Sequence, residues 1–122
     1  MAKDELERGA ELMAQICGVA APSGKRYIDM TLGHVFSDLW ADETLSVRDR
    51  RLIVLGILAA NGQFSPMQIH MGMALKSGEL DERELDEVVA TMAYYAGWPM
   101  GSGAGTAAAG AVADWKKAQD EG

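Results

Sequence analysis

His70 and the arginines of Arg48-Asp-Arg-Arg51 are the side chains of this sequence best suited to chemistry. Histidine ordinarily titrates near neutrality, which suits it to donate a proton or to support a developing oxyanion. Guanidinium groups are planar forks that grip carboxylates through parallel hydrogen bonds, so Arg50 and Arg51 are candidates to clamp an anionic substrate. The blander roles carry equal weight. An arginine can pair with an acidic side chain to tie helices together, and a histidine among Met67, Met71 and Ala74 can be a satisfied interface residue. Arg48 is expected to be solvated. His34 is a second candidate acid, with Asp38 one helical turn later to orient it. Tyr95, in Tyr94-Tyr-Ala-Gly-Trp-Pro99, offers a phenol expected to return toward His70. Trp40 and Trp98 suit pocket walls better than catalysis, and the eight methionines read as core filler.

The elements that must position these groups read as helices throughout. Leu6, Ala10, Met13 and Ile16 or Cys17 share one face of a segment from about Asp4 to Cys17, which Gly18 can end. A second helix should run from the turn at Pro22-Ser23 to about Trp40, with a stripe of Ile28, Leu32, Val35 and Leu39 facing the core. Ser46 can cap a third, which from Leu52 to Ala60 is apolar on every side and so implies burial within a domain or an oligomer. Asn61-Gly62 ends it. Ser65-Pro66, with Gln68 completing a capping box, is expected to start a fourth helix running to Lys76 before Gly78. Asp81 can cap a fifth, whose stripe of Leu85, Val88, Val89, Met92, Ala93 and Ala96 ends at Gly97 in a left-handed cap. From Pro99 to about Gln119 a final helix, weak at its start, carries a small-residue face suited to subunit contact.

Composition bounds the function classes. A chain of 122 residues, 48% hydrophobic and with three prolines, fits one all-α domain spanning residues 1–122, of about six helices. The net charge of −7 opposes nucleic-acid binding, which needs clustered cations. Cys17 is the sole cysteine, so neither a disulfide, a C-x-x-C redox pair nor a thiolate metal site can form within the chain, and a reducing cytoplasm fits. Neither a signal peptide nor the roughly 20 apolar residues of a membrane span is found.

From His34 to Pro99 the sequence resembles the carboxymuconolactone decarboxylase family, the all-helical group that includes the alkylhydroperoxidase D-like proteins. The resemblance rests on Gly33-His-Val-Phe-Ser-Asp-Leu-Trp40, Leu45-Ser-Val-Arg-Asp-Arg50, Leu55-Gly-Ile-Leu-Ala-Ala-Asn-Gly62, His70 with Ala74-Leu-Lys-Ser-Gly78, and Tyr95-Ala-Gly-Trp-Pro99, in that order. It implies an alkylhydroperoxidase D-like helical bundle, places His70 at the family's site, and matches Arg50 to the family's characteristic arginine. The redox branch of the family carries a C-x-x-C pair where this chain has Gln63 and Pro66, and a proton-relaying glutamate where it has Arg51. Thiol-dependent peroxide reduction is therefore not expected. After Pro99 the sequence departs from the family pattern in Met-Gly-Ser-Gly-Ala-Gly105.

The activity this implies is decarboxylation of a small anionic unsaturated lactone such as 4-carboxymuconolactone. No metal and no organic cofactor is required, because the substrate's own alkene and lactone carbonyl accept the electrons. A lactone isomerase or hydrolase using the same groups is one alternative, and a non-catalytic oligomer that binds a small molecule or scaffolds a partner is another. The resemblance also implies a homo-oligomer, a trimer or a hexamer.

Overall fold

Six helices follow one another along the chain, and the computed structural model describes all 122 residues. They are α1 (Lys3–Cys17), α2 (Arg26–Met30, continuing as a π-helical stretch over Thr31–Trp40), α3 (Val47–Ala60), α4 (Phe64–Ser77), α5 (Glu82–Ala96) and α6 (Trp98–Glu121). Helices are the only regular secondary structure, so the protein is all-α. No helix is long and apolar enough to cross a membrane. The chain divides into two compact units, Met1–Arg50 and Arg51–Gly122.

In the first unit α1 packs against the π-helical part of α2. Their backbones nearly touch: a Cβ on buried Gly9 would sit 1.9 Å from the Leu32 carbonyl oxygen. Leu32, Phe36 and Trp40 fill this interface at a spacing of four, and the Phe36 and Trp40 rings stack with centroids 6.4 Å apart. Val35 and Leu39, assigned by the sequence to the core stripe, are exposed instead. The reason is the winding. A π-turn holds more residues than the 3.6 of an α-helix, as the bond from the Ala41 amide to the Phe36 carbonyl illustrates, so the inward face advances differently.

The second unit is built around Leu55 and Ala59 of α3, Met67, Met71 and Ala74 of α4, Leu85 and Met92 of α5, and Ala104, Ala107 and Ala111 of α6. Several small residues of α6 serve close packing inside the subunit, where Gly101, Ala104, Ala107 and Ala111 are buried. A Cβ on Gly101 would lie 2.5 Å from the Ala93 Cβ and 2.7 Å from its Cα, and one on Gly103 would meet the Phe64 ring. The α6 segment is helical from Trp98 onward. Apolar α3 is only partly covered: Leu55 and Ala59 are buried, whereas Ile53 and Ile57 on another face are 51% and 55% exposed.

Most helix ends follow the local chemistry. The Ser46 hydroxyl accepts from the Asp49 amide at 3.0 Å, and Asp81 and Glu84 form a reciprocal capping box. Gly18 and Gly78 are left-handed C-caps. Two ends differ from expectation. Helix α4 begins at Phe64, because Gly62 at φ 67° and a bond from the Gln63 amide to the Leu58 carbonyl turn the chain at once, leaving Ser65 inside the first turn. Gly97 has φ 103° and ψ 150° rather than a left-handed helical cap, since α6 starts at the next residue and the chain must redirect there.

Replacing Gly101 by Ala should cost about 1–3 kcal/mol by forcing α5 and α6 apart. Gly105→Ala in the same helix meets only the Val89 Cγ1 at 3.8 Å, and should be neutral or stabilising through helix propensity. Urea denaturation of the two variants would check the contrast.

Candidate functional site

Arg51 lies on the first turns of α3 with its side chain 1% exposed, and a buried guanidinium demands partners. Glu79 supplies them in a two-bond grip. Arg51 Nε donates to Glu79 Oε1 at 2.7 Å and Nη2 to Oε2 at 3.2 Å. A third arm, Nη1, meets His70 Nδ1 on α4 at 2.9 Å. The Ser77 hydroxyl donates to Glu79 Oε2 at 2.5 Å, so serine, glutamate, arginine and histidine form one chain of hydrogen bonds.

The local sequence explains how Glu79 arrives there. Gly78 adopts φ 79°, which ends α4 and reverses the chain. The Gly78 amide donates to the Leu75 carbonyl and the Leu80 amide to the Ala74 carbonyl, both at 3.2 Å, while the Leu80 side chain anchors in the core. Glu79, between these fixed points, faces the arginine.

The contact defines the state of the imidazole. Arginine has donors only, so His70 Nδ1 accepts and the ring proton resides on Nε2. Burial lowers the His70 pKa to about 4, with the Arg51 charge acting in the same direction and Glu79 partly opposing. The expectation of a histidine titrating near neutrality is thereby corrected: at pH 7 the ring is neutral. For Glu79, burial pushes the carboxyl up, but the hydrogen bonds from Arg51 and Ser77 and the charge of Arg51 outweigh it and hold the group below its ordinary value.

The other sequence candidates lie elsewhere. Tyr95 is 92% exposed and makes no hydrogen bond to His70, so the anticipated return of its phenol to the histidine does not occur within the subunit. Trp98 is 61% exposed and meets Tyr94 edge to face at 5.5 Å. Trp40, His34 and Arg50 belong to the first unit. Trp40 is buried at one side of a groove of about 440 Å³. His34 is exposed and makes no hydrogen bond to Asp38. Arg50 Nη2 donates to the Asp42 carbonyl at 3.2 Å, and its Nε is buried without a partner.

Glu79 and Ser77 escaped the sequence reading. A usable signal existed: an arginine at the start of an apolar helix needs a carboxylate, and Glu79 directly follows the glycine that ends the histidine's helix. A groove of about 750 Å³ between α4 and α6, bordered by Gln68, Met73, Lys76 and Trp115, does not include His70 among its walls. No three His, Cys, Asp or Glu side chains converge to hold a metal ion.

An all-helical protein with a neutral, arginine-bound histidine on its fourth helix is thus what fold and site define. The chain belongs to the carboxymuconolactone decarboxylase family, whose model matches residues 26–113. No curated protein and no solved structure matches it.

The depressed His70 pKa has a consequence for stability. Between pH 6.5 and about 4 the unfolded chain takes up a proton on this histidine that the native state refuses, so native stability should fall as pH drops through that window. Urea unfolding at stepped pH should show the decline in the parent, and a shallower one in His70→Asn.

Proposed function

We propose that the protein is a cofactor-independent carbon–carbon lyase acting on a small anionic unsaturated lactone, with His70 as a neutral hydrogen-bond donor to the developing oxyanion. The observation that carries this reading is the Arg51–His70 contact, which commits Nδ1 as acceptor and leaves the proton on Nε2. In a 4-carboxymuconolactone-like substrate the bond to the departing carboxylate breaks, its electrons shift through the ring alkene, and negative charge gathers on the lactone carbonyl oxygen. A fixed Nε2–H aimed at that oxygen would stabilise the charge without giving up its proton. Carbon dioxide leaves, and collapse of the dienolate draws a proton onto the ring carbon, with water as its ultimate source.

The same geometry weighs against lactone hydrolysis or isomerisation by this histidine. A general base needs a lone pair in reach, and here one nitrogen is engaged by Arg51 while the other carries the proton. Thiol-dependent peroxide reduction lacks its second cysteine.

Carbon dioxide release from a panel of unsaturated lactone acids tests the reaction. With an active compound in hand, His70→Asn should lower kcat by about 10²–10³, the usual loss for one oxyanion donor, with helical content unchanged. Turnover that survives would leave His70 structural. A compound that binds without turnover would favour a ligand-binding role.

Homo-oligomerisation belongs to the same reading. Ile53 and Ile57 line an uncovered face of α3, and Ile69, Tyr94 and Tyr95 are exposed as well. Association of copies, as a trimer or hexamer, would remove such surface from water. Light scattering should give a multiple of the 13.1 kDa chain mass, and Ile53→Glu combined with Ile57→Lys should reduce it toward one copy. A parent protein already monomeric in dilute solution would refute the assembly.

A further inference from the structure

We propose that Glu79 is the positioning residue of this site, deciding through Arg51 which ring nitrogen of His70 carries the proton. The proposal rests on the reading of His70 as a donor, but its decisive test does not require a substrate.

The argument starts from the guanidinium plane. A single hydrogen bond would let Arg51 rotate about its bond to the acceptor, whereas bonds from Nε and Nη2 to the two carboxylate oxygens fix the plane of the fork. Once that plane is fixed, the direction of Nη1 is fixed too, and it points at His70 Nδ1. The carboxylate is itself restrained. Ser77 binds Oε2, and the Glu79 backbone is held between the left-handed Gly78 and the buried Leu80. Helix α4 therefore carries the imidazole on one of its turns, and the turn just past its C-terminal end carries the group that governs the imidazole's partner. Arg51 touches the ring, and Glu79, apart from the direct pull of its charge, acts through Arg51.

A bystander carboxylate and a positioning carboxylate predict opposite responses. As a nearby negative charge alone, Glu79 favours protonation of His70, so deleting the charge would make the ring harder to protonate. As the anchor of Arg51, its removal frees the guanidinium, the ring loses an adjacent cation and a donor to Nδ1, and protonation becomes easier. The sign of the change separates the two roles.

The measurement is a pH titration of the His70 ring by nitrogen-15 NMR on the full chain, with the signals assigned by their disappearance in His70→Asn. The parent should show a proton-free Nδ1 and a midpoint well below 6.5. In Glu79→Gln the midpoint should rise by about one unit, within the range that a neighbouring charge commands, and the two ring nitrogens should move toward a tautomer mixture. A midpoint that falls or stays put with Nδ1 still proton-free overturns the proposal. If Glu79→Gln loses its helical circular dichroism, Glu79→Asp keeps the charge but withdraws it by one methylene. Tautomer mixing is then expected, and an unchanged ring overturns the proposal. Failure of the reading of His70 as oxyanion donor would show differently, as turnover retained in His70→Asn, and would leave the tautomer result intact.

Discussion

The burial of one positive charge organises the second unit of this protein. Removing a guanidinium from water is expensive unless every part of the cost is met by hydrogen bonds and an opposite charge, and Arg51 is almost wholly buried. That requirement brings Glu79 inward, makes the left-handed turn at Gly78 necessary, and recruits Ser77 to the remaining side of the carboxylate. His70 is drawn in as the third partner, and its chemical state is a by-product of satisfying the arginine. The proposed role rests on the electrostatic solution: a histidine beside a buried cation is a poor base and a persistent N–H donor at physiological pH. Neutral imidazole of this kind suits an oxyanion better than imidazolium would, because it stabilises developing charge without a proton transfer that must later be reversed.

Much of the helical order could be read from local punctuation. Gly18, the Ser46 cap, Asn61-Gly62, Gly78 and Asp81 each act within a few residues of themselves, so the boundaries they imply are independent of tertiary context. Failures arose where the cause was nonlocal or where winding changed. The inward face of α2 could not be inferred with a period of 3.6, since the stretch from Thr31 to Trp40 winds more widely. Ser65 looked like a cap because serine before proline usually is one, but the tight turn at Gly62 had already restarted the helix.

The site was legible in its central residue and not in its wiring. His70 stood out by type and by the resemblance around it. Glu79 did not, because its partner lies 28 residues away and periodicity is blind to such pairings. For Arg51 the sequence leaves a substrate clamp and an internal acidic partner with equal weight, and the three-dimensional arrangement decides for the internal carboxylate of Glu79. The glycines of α6 taught the same lesson in apolar terms. Small side chains announce that something approaches closely, and the structure identifies it as Ala93, Phe64 and Gln68 of the same chain.

The tryptophans are distributed so that each compact unit carries its own optical label. Trp40, enclosed and stacked on Phe36, resides in the first unit, while exposed Trp98, edge-on to Tyr94, and half-buried Trp115 reside in the second. An enclosed indole emits at shorter wavelength and is shielded from dissolved quenchers, whereas an exposed one is red-shifted and readily quenched. Fluorescence therefore resolves two reporters in one unmodified chain, and the coincidence or separation of their unfolding curves states whether the units melt as one cooperative body or in succession.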